Sequence, residues 1–100
     1  MSLVWFKVKP GMNEEFELAF IDAGMLERPK LVPGFRFVHL HRSLMNDDEY
    51  FVLGEWDTEE SYAEWQRRAQ DGAPLDALRR LGATLVEHRP NNLMRRVDPR

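Results

Sequence analysis

The stretch that most limits what this chain can become is residues 50 to 65, YFVLGEWDTEESYAEW, where an extended apolar run gives way to a helix within two residues. Tyr50, Phe51, Val52 and Leu53 include aromatic and β-branched types suited to a pleated, largely buried strand. Asp57 is placed to cap the following helix, with Glu60 three residues on reaching back as in a capping box. Tyr62, Trp65 and Ala69 then recur at spacings of three and four and share one helix face. A strand ending in Trp56 therefore leads directly into a helix carrying Trp65.

The flanking segments extend this pattern. Leu3 to Lys9 alternates, with Val4, Phe6 and Val8 on one side and Leu3, Trp5, Lys7 and Lys9 on the other, until Pro10-Gly11 ends the strand. Asn13 is the expected cap of a first helix reaching about Leu26, with Glu14 and Glu15 at its positive end. Met12, Phe16, Ala19, Phe20 and Ala23 form its apolar stripe. After the loop bracketed by Pro29 and Pro33, Phe35 to Arg42 forms a strand whose period sorts Phe35, Phe37, His39 and His41 from Arg36, Val38, Leu40 and Arg42. Residues 44 to 49 read as a hairpin loop, which returns the 50 to 56 strand antiparallel beside it.

Asp71-Gly72 breaks the second helix, and Pro74 opens a short third one in which Leu75, Leu78 and Leu81 share a face and Gly82 is the stop. Residues 84 to 88 and 93 to 97 compete for the fourth strand. Asn92 to Val97 is favoured, because Pro90 prevents one continuous central strand across both. The order β-α-β-β-α-β fits the split βαβ, ferredoxin-like arrangement: an α+β fold with a four-stranded antiparallel sheet and its helices on one face. At 100 residues the chain is expected to be a single domain, residues 1 to 100.

Such a sheet leaves one face open. Trp5 interrupts the polar side of its strand, and 43% of the residues are apolar, including three Trp and six Phe. A second copy closing this face is the simplest cover, so a homodimer is expected. Burying one aromatic of this kind removes about 150 to 250 Å² from water, worth about 4 to 6 kcal/mol before costs.

Several functions are excluded or disfavoured by composition. Without cysteine there is no disulfide, thiolate metal site or thiol nucleophile. No signal-peptide pattern opens the chain and no apolar run approaches the roughly 20 residues of a membrane span, so no membrane association and a cytoplasmic location are expected. Residues 1 to 78 hold 8 Lys/Arg against 15 Asp/Glu, whereas 79 to 100 hold 6 Arg against 2 acids. This thin basic end comes with no nucleic-acid-binding motif, and pairing with the acidic helices is expected instead of nucleic acid. The sequence lacks GxSxG, HExxH and phosphate-loop patterns. Proton transfer near neutral pH falls to His39, His41 and His88. His39 and His41 point the same way from their strand, but two ligands are too few for a metal site, and none is expected.

Pro33-Gly34-Phe35, a strand ending in Arg42-Ser43, Tyr50 leading to Glu55-Trp56, the acidic helix start and Trp65 together resemble the antibiotic biosynthesis monooxygenase (ABM) domain. This is a family of small ferredoxin-like proteins that pair as dimeric α+β barrels. The resemblance covers most of the chain. It implies a pocket between helices and sheet, walled by Phe37, Trp56, Tyr62 and Trp65, that holds a small aromatic or polyketide-like molecule. It further implies an oxidoreductase needing neither metal nor flavin, in which a base, His39 or His41, takes a phenolic proton and the electron-rich substrate reduces oxygen. The haem-degrading branch of the family is an alternative. Its strand-one Asn falls on Val4 here and its haem-ligating His near Leu75, and neither residue can serve iron. A non-catalytic ligand-binding or stress-related dimer is a third reading.

Overall fold

The structure, a computed structural model, describes residues 1–99. Four strands, β1 (Ser2–Val8), β2 (Phe35–Arg42), β3 (Glu49–Trp56) and β4 (Leu85–Leu93), form an antiparallel sheet in the order β2-β3-β1-β4. Helix α1 (Asn13–Asp22) links β1 to β2, with a 3-10 turn, Arg28–Leu31, in the connection. Helices α2 (Glu59–Gln70) and α3 (Leu75–Thr84) link β3 to β4. This is the ferredoxin-like α+β arrangement expected from the element order.

Register fixes which side chains meet the helices. In the β1–β3 ladder Val4 faces Val52 and Phe6 faces Tyr50, while Leu3 faces Leu53 and Trp5 faces Phe51 on the opposite side. The first set joins Val8, Phe16, Ala19, Phe20 and Leu81 in the main core. A separate, smaller cluster joins Val32, Trp56 and Tyr62, with Phe35 and Trp65 packed against it. The core is thus divided between an α1/α3 end and an α2 end.

Four local expectations are corrected. The fourth strand is Leu85–Leu93, not Asn92 to Val97. Its pairing steps from Trp5↔Arg89 to Leu3↔Asn92, so β4 carries one extra residue where Pro90 lies. A bulge on an edge strand tolerates a missing amide that a central strand would not. Helix α2 is capped by Thr58, whose side chain accepts from the Ser61 amide, not by Asp57, whose carboxylate instead pairs with Arg36. Asn13 does not cap α1, which ends at Asp22; its Nδ2 donates to Asp47 O at 2.7 Å and to the Tyr50 hydroxyl at 3.2 Å. In α3, Leu75 is 81% exposed and the buried face is Ala77, Leu81 and Thr84; Gly82 lies within the helix.

Candidate active site

Between the two core clusters the sheet and the helices part. The gap is a cleft of ≈ 860 Å³ whose apolar floor is Val4, Phe6, Val38 and Val52, with Phe20 and Met25 at the α1 end. One wall is α2, which presents Tyr62, Trp65, Gln66, Ala69 and Gln70. The other is α3 and β4, with Leu78, Leu81, Leu85 and His88. Helical spacing puts Tyr62, Trp65 and Ala69 on one side of α2, and because Tyr62 is anchored in the smaller cluster this side is turned inward. The Gln66 amide donates to the Tyr62 hydroxyl at 3.2 Å, which fixes one polar group beside Trp65 on this wall.

The charged residues lining the cleft are Arg67, Asp71 and Arg79, and both arginines are ion-paired. Arg67 binds Glu64, and Arg79 binds Asp76, which also receives Arg80. The hydrogen bond from Arg67 holds the Glu64 carboxyl below its usual range, and those from Arg80 and Arg79 do the same for Asp76. Both carboxylates are therefore ionised near neutral pH, and each is shared by two arginines, Glu64 by Arg67 and Arg68 and Asp76 by Arg79 and Arg80. The uncharged polar groups of the wall are Gln66 and Gln70, with the imidazole of His88 opposite.

The expected site residues divide. Tyr62 and Trp65 line the cleft. Trp56 stands one layer behind, its ring 5.8 Å from Tyr62 and 5.7 Å from Phe35, its indole N–H donating to Ser2 Oγ at 2.9 Å. Phe37, His39 and His41 alternate with Val38 and Leu40, which face the helices, so these three lie on the other side of the sheet. There the Phe37 and His39 rings stack with centroids 5.0 Å apart, and both imidazoles are exposed. The sheet thus separates His39 and His41 from Tyr62 and Trp65. Phe35 does not share the face of Phe37 either, because a bulge between them turns Phe35 toward Trp56.

His88 is the one histidine of the three that lines the cleft, although it too is exposed to solvent. It pairs across from Phe6, and their rings lie 6.0 Å apart at 19°. Because β4 starts at Leu85 and not at Asn92, strand register carries His88 to the side of Phe6. Among the described residues no three His, Asp or Glu side chains converge as a metal site. No helix among them is long and apolar enough to cross a membrane.

The family model described as antibiotic biosynthesis monooxygenase matches residues 2–71. Among solved structures, the chain is similar to SnoaB, a cofactor-independent oxygenase from Streptomyces nogalater, at 24% identity and a TM-score of 0.62, covering 98% of this chain and 95% of that one. A conserved protein from Methanosarcina mazei Go1 is similar at 22% identity and a TM-score of 0.69, over 90% of this chain and 85% of that one. A dimeric ferredoxin-like protein from an uncultured marine organism shares 11% identity with a TM-score of 0.68, over 98% and 90% of the two chains. No curated protein sequence matches.

Proposed function

The chain belongs to the antibiotic biosynthesis monooxygenase family, and from that membership we propose that it oxidises a flat aromatic or polyketide-like molecule in the cleft, without a cofactor. Support comes chiefly from one feature: an apolar cleft of ≈ 860 Å³ with an aromatic wall at Trp65 and an imidazole at His88. Its volume lies within the range of ordinary small-molecule sites. With its floor of Val4, Phe6, Val38 and Val52 and both rim arginines ion-paired, the cleft favours a largely apolar ligand held by area and by a few hydrogen bonds.

In this reading the base role expected of His39 or His41 belongs to His88. The His88 imidazole accepts the phenolic proton, the resulting electron-rich anion reduces dioxygen, one oxygen atom enters the ring system and the other leaves as water. Gln66 and Gln70 orient the substrate's carbonyl and hydroxyl groups. The test is oxygen uptake with a hydroxyanthrone. His88→Gln is expected to lower kcat by about 100-fold or more, the usual size of a lost general base, whereas His39→Ala and His41→Ala leave it within about twofold. Equal rates for wild type and His88→Gln would refute the assignment. Binding without turnover would instead favour the non-catalytic ligand-binding dimer. A haem titration without a Soret shift is the expected result, since Val4 lies on the cleft floor and Leu75 is exposed.

The unit is proposed to be a single domain, residues 1 to 100, that acts as a homodimer. Leu3, Trp5, Phe37, Phe51 and Leu53 share the sheet face that bears no helix, and Arg89 covers only part of Trp5, its guanidinium 5.1 Å from the ring. A second copy would cover these side chains, and one structural neighbour is itself described as dimeric. Sedimentation equilibrium is expected to give a dimer that Trp5→Glu dissociates; a wild-type monomer would rule this out.

A further inference from the structure

Helix α2 ends in a turn through Asp71 and Gly72, whose φ is +81°. Its C-cap residue Asp71 is extended, and among the described residues one backbone amide beyond the helix turns back to it, from Ala73 to Gln70 O at 3.4 Å. The last carbonyls of a helix have no partner inside it and carry its negative end. Here Arg28 meets them. Its Nη1 donates to Ala69 O at 2.8 Å and to Ala23 O at 3.2 Å, and its Nη2 donates to Asp71 O at 2.7 Å and to Arg68 O. One planar guanidinium thus ties the end of α1 to the end of α2 through four carbonyls, which a lysine's point charge cannot reproduce.

The same guanidinium lies over the Trp65 ring, 5.4 Å from its centroid. The route it takes is kept open by Gly24, whose φ is +73° and where a Cβ would stand 2.6 Å from Arg28 Cδ. Arg28 does not line the cleft, but two groups it grips, Trp65 and the Ala69 to Asp71 segment, do.

We propose that Arg28 is a positioning residue for the cleft: by closing the end of α2 and holding the Trp65 ring, it sets the aromatic wall against which the substrate stacks. The substrate half of this statement rests on the function proposed above; the geometric half is measurable without any ligand. Two variants separate shape from charge. Arg28→Lys keeps the charge and loses the fork, and Arg28→Met keeps much of the stem and loses both.

The three Trp indole N–H signals in a nitrogen-15 correlation spectrum distinguish local from global change. In both variants the Trp65 signal is expected to move while those of Trp5 and Trp56 stay in place. Exchange protection of the final-turn amides of α2 is expected to fall by about tenfold, as for a locally opened helix end. Affinity for a hydroxyanthrone is expected to weaken by about tenfold through the displaced wall. Should Arg28→Met fail to fold, Arg28→Lys decides. Unchanged Trp65 signal and unchanged protection would overturn the proposal, as would a moved Trp65 with full affinity. If wild-type protein binds no hydroxyanthrone, the proposed function fails, while the spectrum and the exchange rates still decide whether Arg28 holds the wall.

Discussion

Replacing Ser2 by Ala removes a single oxygen from the structure, yet it is expected to cost more than most core truncations of that size. Ser2 is 4% exposed and its Oγ accepts the Trp56 indole N–H at 2.9 Å in a buried setting. Trp56 itself is 7% exposed, so no solvent stands ready to replace the lost acceptor. The hydroxyl's own donation, to Gly54 O, is 3.5 Å long and contributes little. The dominant cost is a buried donor left without a partner, about 1 to 3 kcal/mol. A central value of about 2 kcal/mol lowers Tm by about 8 to 16 °C in a domain of this size. The assay is a double-mutant cycle of Ser2→Ala and Trp56→Phe, followed by thermal and urea melts at one protein concentration, because association shifts both. With Phe at 56 there is no donor to orphan, and Ser2→Ala is then expected to cost less than about 0.5 kcal/mol. Equal costs in both backgrounds would refute the reasoning, since the indole would then have found another partner.

Gly54→Ala is expected to destabilise by about 1 to 3 kcal/mol in urea melts, since its Cβ would stand 2.7 Å from Ser2 Oγ and 2.9 Å from Trp56 Nε1. Thr58→Ala, by removing the cap of α2, is expected to cost about 1 kcal/mol and to loosen the first-turn amides in hydrogen exchange. Tyr50 is buried, and desolvation, reinforced by its hydrogen bond to Glu17, raises its pKa above the ordinary 10.0. The neutral phenol is thus the form the fold favours, so its contribution is complete below about pH 10 and is lost as pH rises through the folded value. Alkaline urea melts are expected to show wild type weakening more steeply than Tyr50→Phe above that pH; parallel curves would contradict the shift.

Much of the framework was legible in the residues. The hairpin of β2 and β3, the inward side of α2 with Tyr62 and Trp65, and the helix-facing row Val4, Phe6 and Val8 followed from periodicity and from turn chemistry. The helix caps did not. Asp57 and Thr58 are both competent caps, and the choice fell to Thr58 because Arg36 holds the Asp57 carboxylate across the connection from β2 to α2. Leu75 fits the apolar face of α3 by spacing, but the helix docks against α1 through Ala77 and Leu81 and leaves Leu75 in water.

What the chain alone determined was the succession of elements and the apolar rows along each of them, since these depend on neighbours a few residues apart. Tertiary structure decided which side of the sheet each imidazole occupies. A bulge at Phe35 to Phe37 and another at Pro90 change the strand phase by one residue, and a shift of one residue sends a side chain to the opposite face. His39 and His41 pair opposite Leu53 and Phe51, away from the helices, while His88 pairs opposite Phe6 on the cleft side. Pairing across strands distant in the chain sets that phase, and local composition carries no record of it.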